Sequence, residues 1–196
     1  LSVASGEIDC ALVVGVEKMT DSPGAEITTG LATAADADWE VDHGLSFVAL
    51  NALIMKRYLY EYGWEARDFA EFSINAHENA MFNPYARFHM PITESSFSKS
   101  PMICDPINLL DASPIGDGAA AAILVNADMA PANLSRIIVA GSAAATDSLA
   151  VHSRKAPLWL WAAEQSTQKA YIQAGIGPEQ INVFEYHDAF TIMAAL

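Results

Sequence analysis

The sequence predicts an α/β fold in which buried strands alternate with amphipathic helices. Three observations carry this prediction: an apolar run of strand length at residues 9–16, a helical apolar period over residues 46–62, and a second apolar run at residues 118–125. Segments of these two kinds that alternate along a chain are typical of sheets covered by helices.

Two segments read as central strands. Residues 9–16 (DCALVVGV) and residues 118–125 (GAAAAILV) are almost continuously apolar, which is the pattern of a strand buried on both faces. Shorter apolar runs predict two more strands, at Arg136–Gly141 and at Ile181–Tyr186. The last of these would carry His187 at its carboxyl end, where open α/β sheets hold their ligands.

Three segments read as helices. Residues 46–62 are apolar at positions 47, 50, 53, 54 and 58 and are followed by Gly63, a helix stop signal. Residues 65–79 place Ala66, Phe69, Ser73 and His77 on one face. Residues 156–174 end at Gly175, which predicts a third helix.

The segment from Met81 to Gly118 has no period. It contains Asn83-Pro84, Met90-Pro91, Ser100-Pro101, Asp105-Pro106 and Ser113-Pro114. A residue before proline avoids the helical region. Irregular segments of this length in compact domains are usually functional, so binding residues are expected here.

Composition excludes several classes of function. The chain has 10 Lys and Arg against 24 Asp and Glu, a net charge of −14, which argues against a nucleic-acid partner. No apolar run reaches the length of about 18 residues that a membrane span needs, so no membrane association is expected. The two cysteines, Cys10 and Cys104, lack the spacing of a metal site or a disulfide framework, which favours a reducing cytoplasm.

Both ends have the pattern of interrupted elements. Residues 1–6 read as the last turn of a helix that closes at Gly6, and residues 191–196 read as the first turn of another helix. These patterns predict that the sequence is an internal piece of a longer protein.

Four stretches, in this order, resemble motifs of the thiolase family. They are residues 5–19 (SGEIDCALVVGVEKM), 77–88 (HENAMFNPYARF), 105–121 (DPINLLDASPIGDGAAA) and 185–190 (EYHDAF). The His-Asp form of the last motif resembles the archaeal and sterol-carrier-protein-type branches of the family.

The resemblance implies a fold and a reaction. Thiolases transfer acyl groups between coenzyme A thioesters, by Claisen condensation or its reverse, and consist of two αβαβα layered halves. By this resemblance residues 1–20 and 116–135 belong to the N-terminal domain, residues 21–115 form the loop domain over coenzyme A, and residues 136–196 begin the C-terminal domain. Coenzyme A thioesters are then the substrates, with no covalently bound cofactor and no metal.

The family's nucleophilic cysteine and its Gly-His-Pro histidine correspond to no position of this sequence. Neither Cys10 nor Cys104 is followed by a helix whose amino end would activate a thiol. We therefore expect an acetyl-CoA or 3-ketoacyl-CoA thiolase whose nucleophile lies outside these 196 residues, and no activity from them alone. The alternatives are a non-catalytic thiolase-like protein that binds acyl-CoA or serves as a scaffold, and a ketoacyl synthase relative, which the EYHDAF and NPYA segments disfavour.

His187 is the predicted catalytic residue. By resemblance it donates a hydrogen bond, directly or through water, to the oxyanion or enolate that develops during carbon–carbon bond formation. The adjacent Asp188 could fix the tautomer of the imidazole.

Three residues are candidates for substrate binding. By resemblance Ser113 contacts the pantetheine arm, although a turn-forming serine explains the same position. Phe190 either lines the pantetheine channel or belongs to the core. His43 aligns loosely with a region that contacts coenzyme A.

Two polar residues are expected to be structural instead. Asp117 holds the turn that leads into the strand at residues 118–125, and His77, on the apolar face of its helix, is interpreted as a core histidine. The basic residues available for coenzyme A phosphates are Arg67, Arg87, Lys99, Arg154 and Lys155, and their spacing assigns none of them.

The resemblance also implies partners. Besides acyl-CoA, we expect a homodimer or homotetramer, since the apolar strands require covering surfaces. The archaeal branch further implies association with a synthase of the mevalonate route and a small zinc-ribbon protein.

Overall fold

The structure is a computed structural model that describes residues 1–131 and 137–196. Its strands are β1 (Cys10–Glu17), β2 (Met102–Cys104), β3 (Ile107–Asn108) and β4 (Gly118–Val125). Its α-helices are α1 (Gly24–Ala32), α2 (Phe47–Tyr62), α3 (Ala70–Ala80), α4 (Glu94–Ser98), α5 (Trp161–Ala174) and α6 (Thr191–Ala195). Short 3₁₀ turns, among them Ala66–Phe69, Leu109–Asp111 and Val151–Ser153, connect these elements.

Most of the buried apolar residues lie in one helical body, which comprises α2, the turn Ala66–Phe69, α3, α4, the β2–β3 pair and α6. The largest fully buried side chains are all here: Met55, Phe69, Phe97, Ile107 and Ile192. Aromatic rings surround Phe69, whose centroid lies 5.5 Å from those of both Tyr58 and Trp64. Burial of these side chains is the main favourable contribution to the stability of the body.

The predicted helices form, and two of them start late, since residues 66–69 of the helix predicted from residue 65 form a 3₁₀ turn before α3 begins at Ala70. α2 begins after Ser46, whose hydroxyl accepts a hydrogen bond from Ala49 N at 3.2 Å, and ends at Gly63 with φ +68°. α5 begins at Trp161 instead of Ala156, and residues 156–159 form a turn in which Trp159 N donates to Ala156 O at 3.0 Å. α1 was not predicted, because it lies in a stretch of mostly small residues that shows no apolar period.

β1 and β4 form an antiparallel ribbon, the β1–β4 ribbon, with a register that runs from Cys10 opposite Val125 to Glu17 opposite Gly118. Both strands were predicted, but their burial on both faces was not confirmed. Val14 is 59% exposed, Val16 75% and Ile123 69%. Within the described residues the ribbon has two strands and no third layer, so nothing covers its side chains.

The other two predicted strands are absent from the described residues. Arg136 lies outside them, and residues 137–141 have no strand partner. The prediction for Ile181–Tyr186 was wrong: Val183 is 82% exposed and the segment pairs with no other backbone. An extended segment becomes a strand only when a neighbour supplies hydrogen-bond partners, and neither segment has one.

The predicted helix start at the carboxyl-terminal end is confirmed, because α6 begins at Thr191. Gly6 has φ +77° and closes a turn in which Ser5 N donates to Leu1 O at 2.9 Å. Among the described residues, no helix combines the length and the apolar character that crossing a lipid bilayer requires.

Candidate functional site

Two of the sequence motifs lie side by side in the structure. Ser113 N donates to Ala189 O at 3.0 Å, and Ala112 forms an isolated antiparallel bridge with Phe190. The loop that contains Ser113 and the loop that contains His187 are thus joined through backbone hydrogen bonding, although they are far apart in the sequence. This pairing defines the candidate site.

A buried carboxylate supports the same pairing. Asp111 is 2% exposed, accepts a hydrogen bond from Asn108 N at 2.9 Å, and accepts a second from the Thr191 hydroxyl, 80 residues away in sequence. Burial raises the pKa of Asp111 above its ordinary value, while the hydrogen bonds from Thr191 and Asn108 act in the opposite direction. Asp111 therefore connects the Ser113 loop to the start of α6.

A cavity of about 210 Å³ lies between α3 and these two loops. Its apolar lining includes Phe72, Ala76, Ala80, Ala86, Phe88 and Leu110. Its polar lining includes Ser113, Asp188, His77 and Arg87. Small pockets of apolar surface with a few convergent polar groups are the usual form of ligand sites.

His77 lines this cavity, and the interpretation as a core histidine was wrong. Its ring is half-buried and lies nearly parallel to that of Phe88, with centroids 6.3 Å apart. Nδ1 lies 2.9 Å from Met90 O. Because a carbonyl oxygen only accepts, Nδ1 carries the proton, and Nε2 of the neutral ring remains an acceptor.

His187 is exposed and does not line the cavity, whereas its neighbour Asp188 does. The predicted position of His187 at the end of a strand was wrong, since no strand precedes it. Burial, followed by the negative charge of Asp188, raises the pKa of Tyr186. The loop thus contributes the Asp188 residue to the cavity lining, while His187 lies outside that lining.

The sequence left open whether Phe190 lines the pantetheine channel or belongs to the core, and in the structure Phe190 belongs to the core. It is 4% exposed, and its ring centroid lies 5.6 Å from that of Phe47 at the start of α2. It does not line the cavity. Its packing fixes the end of the loop that carries His187.

His43 lies in a separate aromatic cluster. Its ring is parallel to that of Trp39, with centroids 6.4 Å apart, and the ring of His152 lies 6.3 Å from Trp39. Beneath them the Glu40 carboxylate, 2% exposed, accepts from Asp36 N at 3.0 Å and from Val151 N at 2.7 Å. The structure therefore does not bring His43 to the cavity that Ser113 lines.

Sequence reasoning missed Glu40, Asp111 and Thr191 as organising residues. The hydrogen bond from Val151 to Glu40 spans 111 residues, and no local pattern indicates such a partner. For Asp111 one signal was present: it lies inside the motif at residues 105–121.

The expectation that Asp117 is structural is confirmed. Its carboxylate accepts from Met19 N at 2.8 Å, from Thr20 N at 3.0 Å and from the Thr20 hydroxyl at 2.5 Å. These hydrogen bonds, with that of the Thr20 side chain the largest, lower the pKa of Asp117. Asp117 joins the segment after β1 to the start of β4.

Neither cysteine begins a helix. Cys10 is exposed within β1, and Cys104 is half-buried at the end of β2. In the described ranges no three His, Cys, Asp or Glu side chains come together as a metal site.

The fold has a solved counterpart. The structure of an "Ltp2-ChsH2(DUF35) aldolase" superimposes with a TM-score of 0.80 over 98% of this chain and 51% of that chain, at 24% sequence identity. Fold and site together define a mixed helix-and-sheet protein with its candidate site between two loops that backbone hydrogen bonds join.

Family models cover most of the chain. Residues 1–128 match the thiolase N-terminal domain, and residues 143–196 match the thiolase C-terminal domain-like family. The chain belongs to the thiolase family.

Curated relatives agree. An acetyl-CoA acetyltransferase of Methanocaldococcus jannaschii is 40% identical over 98% of this chain and 49% of its own length. The benzoylsuccinyl-CoA thiolase subunit BbsB of Thauera aromatica is 32% identical over 99% of this chain and 50% of its own. Sterol carrier protein 2 of Bos taurus is 28% identical over 96% of this chain and 37% of its own. The chain spans about half the length of the acetyltransferase it matches.

Proposed function

We propose that this chain is the part of a thiolase-type acyltransferase that holds a coenzyme A thioester for Claisen condensation or thiolysis. The observation that carries the proposal is the pairing of the Ser113 loop with the His187 loop, through Ser113 N and Ala189 O at 3.0 Å. Ser113 and Asp188 both line the cavity, and His187 is the residue that precedes Asp188. The acetyl-CoA acetyltransferase relatives support acetyl-CoA and short 3-ketoacyl-CoA as substrates.

In this proposal His187 is the catalytic residue. Its imidazole is exposed, so it is accessible to a thioester oxygen or to an ordered water. A donor at that position stabilises the negative charge that develops on the oxygen as the carbon–carbon bond forms or breaks. Ser113 would contact the pantetheine arm, and Phe190 would act from the core by holding the loop.

The test uses the full-length protein that contains this sequence. We expect it to cleave acetoacetyl-CoA only when free coenzyme A is supplied, and we expect His187→Ala to slow condensation by roughly 10²–10³-fold, the cost of losing one oxyanion donor. Transfer of an acetyl group to the nucleophile should change much less. An unchanged condensation rate would exclude His187 from the chemistry.

The same assay separates this proposal from its alternatives. Binding of acyl-CoA without turnover would identify an acyl-CoA-binding or scaffold protein. Cleavage that needs no free coenzyme A would instead indicate an aldolase reaction, and two relatives are named for such activities: a steroid side-chain-cleaving aldolase and a 17-hydroxy-3-oxo-4-pregnene-20-carboxyl-CoA lyase. Residues 1–196 alone should give no turnover, because neither Cys10 nor Cys104 begins a helix.

The assembly is also a proposal. A homodimer or homotetramer is supported by the apolar side chains exposed on the β1–β4 ribbon, since patches of this kind promote association. A mevalonate-route synthase and a zinc-ribbon protein stay as proposed partners, supported by the likeness to archaeal acetyltransferases. A cytoplasmic location is supported by the two free thiols.

The domain boundaries given above also stay a proposal: an N-terminal domain at 1–20 and 116–135, a loop domain at 21–115, and a C-terminal domain from 136. The helical body supports the second of these, because nearly all of its elements lie between residues 47 and 108.

A further inference from the structure

Arg87 carries the one permanent positive charge among the described residues that line the cavity. Its guanidinium carbon lies 5.5 Å from the centroid of the Phe88 ring, a cation–π geometry that restricts its orientation. Its Nη1 lies 3.9 Å from the position that a Cβ on Gly116 would occupy. The side chain therefore reaches from the segment before Phe88 to the loop that follows Ser113.

Four other cations of this acidic chain pair with carboxylates, whereas no ion pair within the described residues includes Lys99, Arg154, Lys155 or Lys169. Lys18 pairs with Asp21, Lys56 with Asp105, Arg57 with Glu61 and Arg67 with Glu65. Within residues 1–131 and 137–196, no carboxylate pairs with the Arg87 guanidinium and no protein acceptor takes a hydrogen bond from it. Among the unpaired cations of the described residues, Arg87 is the one that lines the cavity.

We propose that Arg87 binds an anionic oxygen group of the acyl-coenzyme A ligand inside this cavity. A guanidinium presents five N–H donors in a planar fork that matches phosphate and carboxylate oxygens. The group is either a phosphate of the coenzyme or a carboxylate on the acyl chain. The inference rests on the proposed function, which supplies the class of ligand.

The cavity limits what enters it. The cavity opens to solvent, and its volume of about 210 Å³ accommodates one small anionic group beside Arg87. Asp111 and Asp188 also line it, and their carboxylates disfavour a second anion, while that of Asp188 can accept a hydrogen bond from an amide or hydroxyl. The ligand segment therefore has an anion near Arg87 and a neutral donor near Asp188.

The experiment measures equilibrium binding by titration calorimetry on the full-length protein, with its nucleophilic cysteine replaced by alanine so that no acyl group is transferred, and with butyryl-CoA, butyryl-pantetheine and glutaryl-CoA as probes. If Arg87 binds a phosphate, Arg87→Gln raises the Kd of butyryl-CoA by about 10- to 100-fold and leaves that of butyryl-pantetheine unchanged. If it binds an acyl carboxylate, Arg87→Gln raises the Kd of glutaryl-CoA by a similar factor and leaves that of butyryl-CoA unchanged. Arg87→Lys should lose part of the affinity, because the charge stays and the fork is lost.

Lys99→Gln is the matched control, since it removes the same charge at a position that does not line the cavity. A loss that Lys99→Gln reproduces would overturn the proposal and show a long-range charge effect. Unchanged Kd values in Arg87→Gln, equal losses for all three probes, or no binding of any probe would also overturn it. Binding is measured without turnover, so an inactive protein whose affinity depends on Arg87 would refute the thiolase reaction and leave this inference standing.

Discussion

The helical body buries its large apolar side chains, whereas the β1–β4 ribbon exposes them. Phe69 and Ile192 are 0% exposed in the body, while Val16 and Ile123 on the ribbon are 75% and 69% exposed. The two regions differ little in residue type, and they differ in what packs against them. Apolar patterning therefore indicated β1, β4 and α2, whereas burial of their side chains depends on the neighbouring layer.

The two regions also hold their carboxylates differently. Asp111 of the body is buried, and burial raises its pKa, whereas hydrogen bonds lower the pKa of the fully exposed Asp117 beside the ribbon. Both carboxylates accept hydrogen bonds from backbone N–H groups and a threonine hydroxyl. The contrast arises from burial, since desolvation outweighs the hydrogen bonds at Asp111, whereas at Asp117 the hydrogen bonds, that of Thr20 first, outweigh desolvation.

The largest effect is expected from Phe69→Ala. Removal of a fully buried ring should lower the free energy of unfolding by about 3–5 kcal/mol, through lost burial and the cavity it leaves. Phe82→Ala is the matched control, because that ring is 87% exposed and its removal should cost less than about 0.5 kcal/mol. Urea unfolding monitored by circular dichroism measures both, and equal losses would contradict the assigned core.

The next effect concerns the buried carboxylate. Asp111→Ala leaves the Asn108 N–H and the Thr191 hydroxyl without their acceptor and should lower the free energy of unfolding by about 1–3 kcal/mol. Asp117→Ala should cost less, since water replaces the carboxylate there. The same urea titration applies, and a greater loss in Asp117→Ala would reverse the ranking of the two regions.

A smaller and matched pair of changes tests whether the ribbon is covered in the assembled protein. Ile192→Val should cost about 0.5–1.5 kcal/mol at every protein concentration, because this side chain is buried within the chain. Ile123→Val should cost more as concentration rises, because only the proposed homo-oligomer covers it. Thermal unfolding is measured over a hundredfold range of protein concentration. A free-energy cost of Ile123→Val that stays constant over this range would argue against association through the ribbon.

The smallest effects are those of pH, and the two carboxylates should act in opposite directions. The raised pKa of Asp111 means that the folded state holds the proton of this carboxyl group more tightly than the unfolded state does. The contribution of Asp111 to the stability of the folded state is therefore full below pH 3.8 and is lost as pH rises through the raised pKa. The lowered pKa of Asp117 gives a contribution that is full above 3.8 and is lost as pH falls through the lowered pKa. The free energy of unfolding is measured across acidic pH for Asp111→Asn and Asp117→Asn. Each substitution should remove the pH dependence that its carboxylate contributes, and contributions of the same sign would refute the assignment.

Local residue patterns determined much of this protein. The helical period and Gly63 established α2, the apolar runs established β1 and β4, and the motif at residues 105–121 indicated that Ser113 belongs to a functional loop. These features depend on backbone preferences and on side chains a few residues apart, and such interactions are present in the sequence itself.

Tertiary structure alone decided the rest. Three contacts join segments that no local pattern connects. Ser113 N donates to Ala189 O, Val151 N donates to the Glu40 carboxylate, and Phe190 packs against Phe47. The wrong strand at Ile181–Tyr186 has the same origin. Its residues favour an extended backbone, but a strand requires hydrogen-bond partners from another segment, and only the three-dimensional arrangement determines whether these are present.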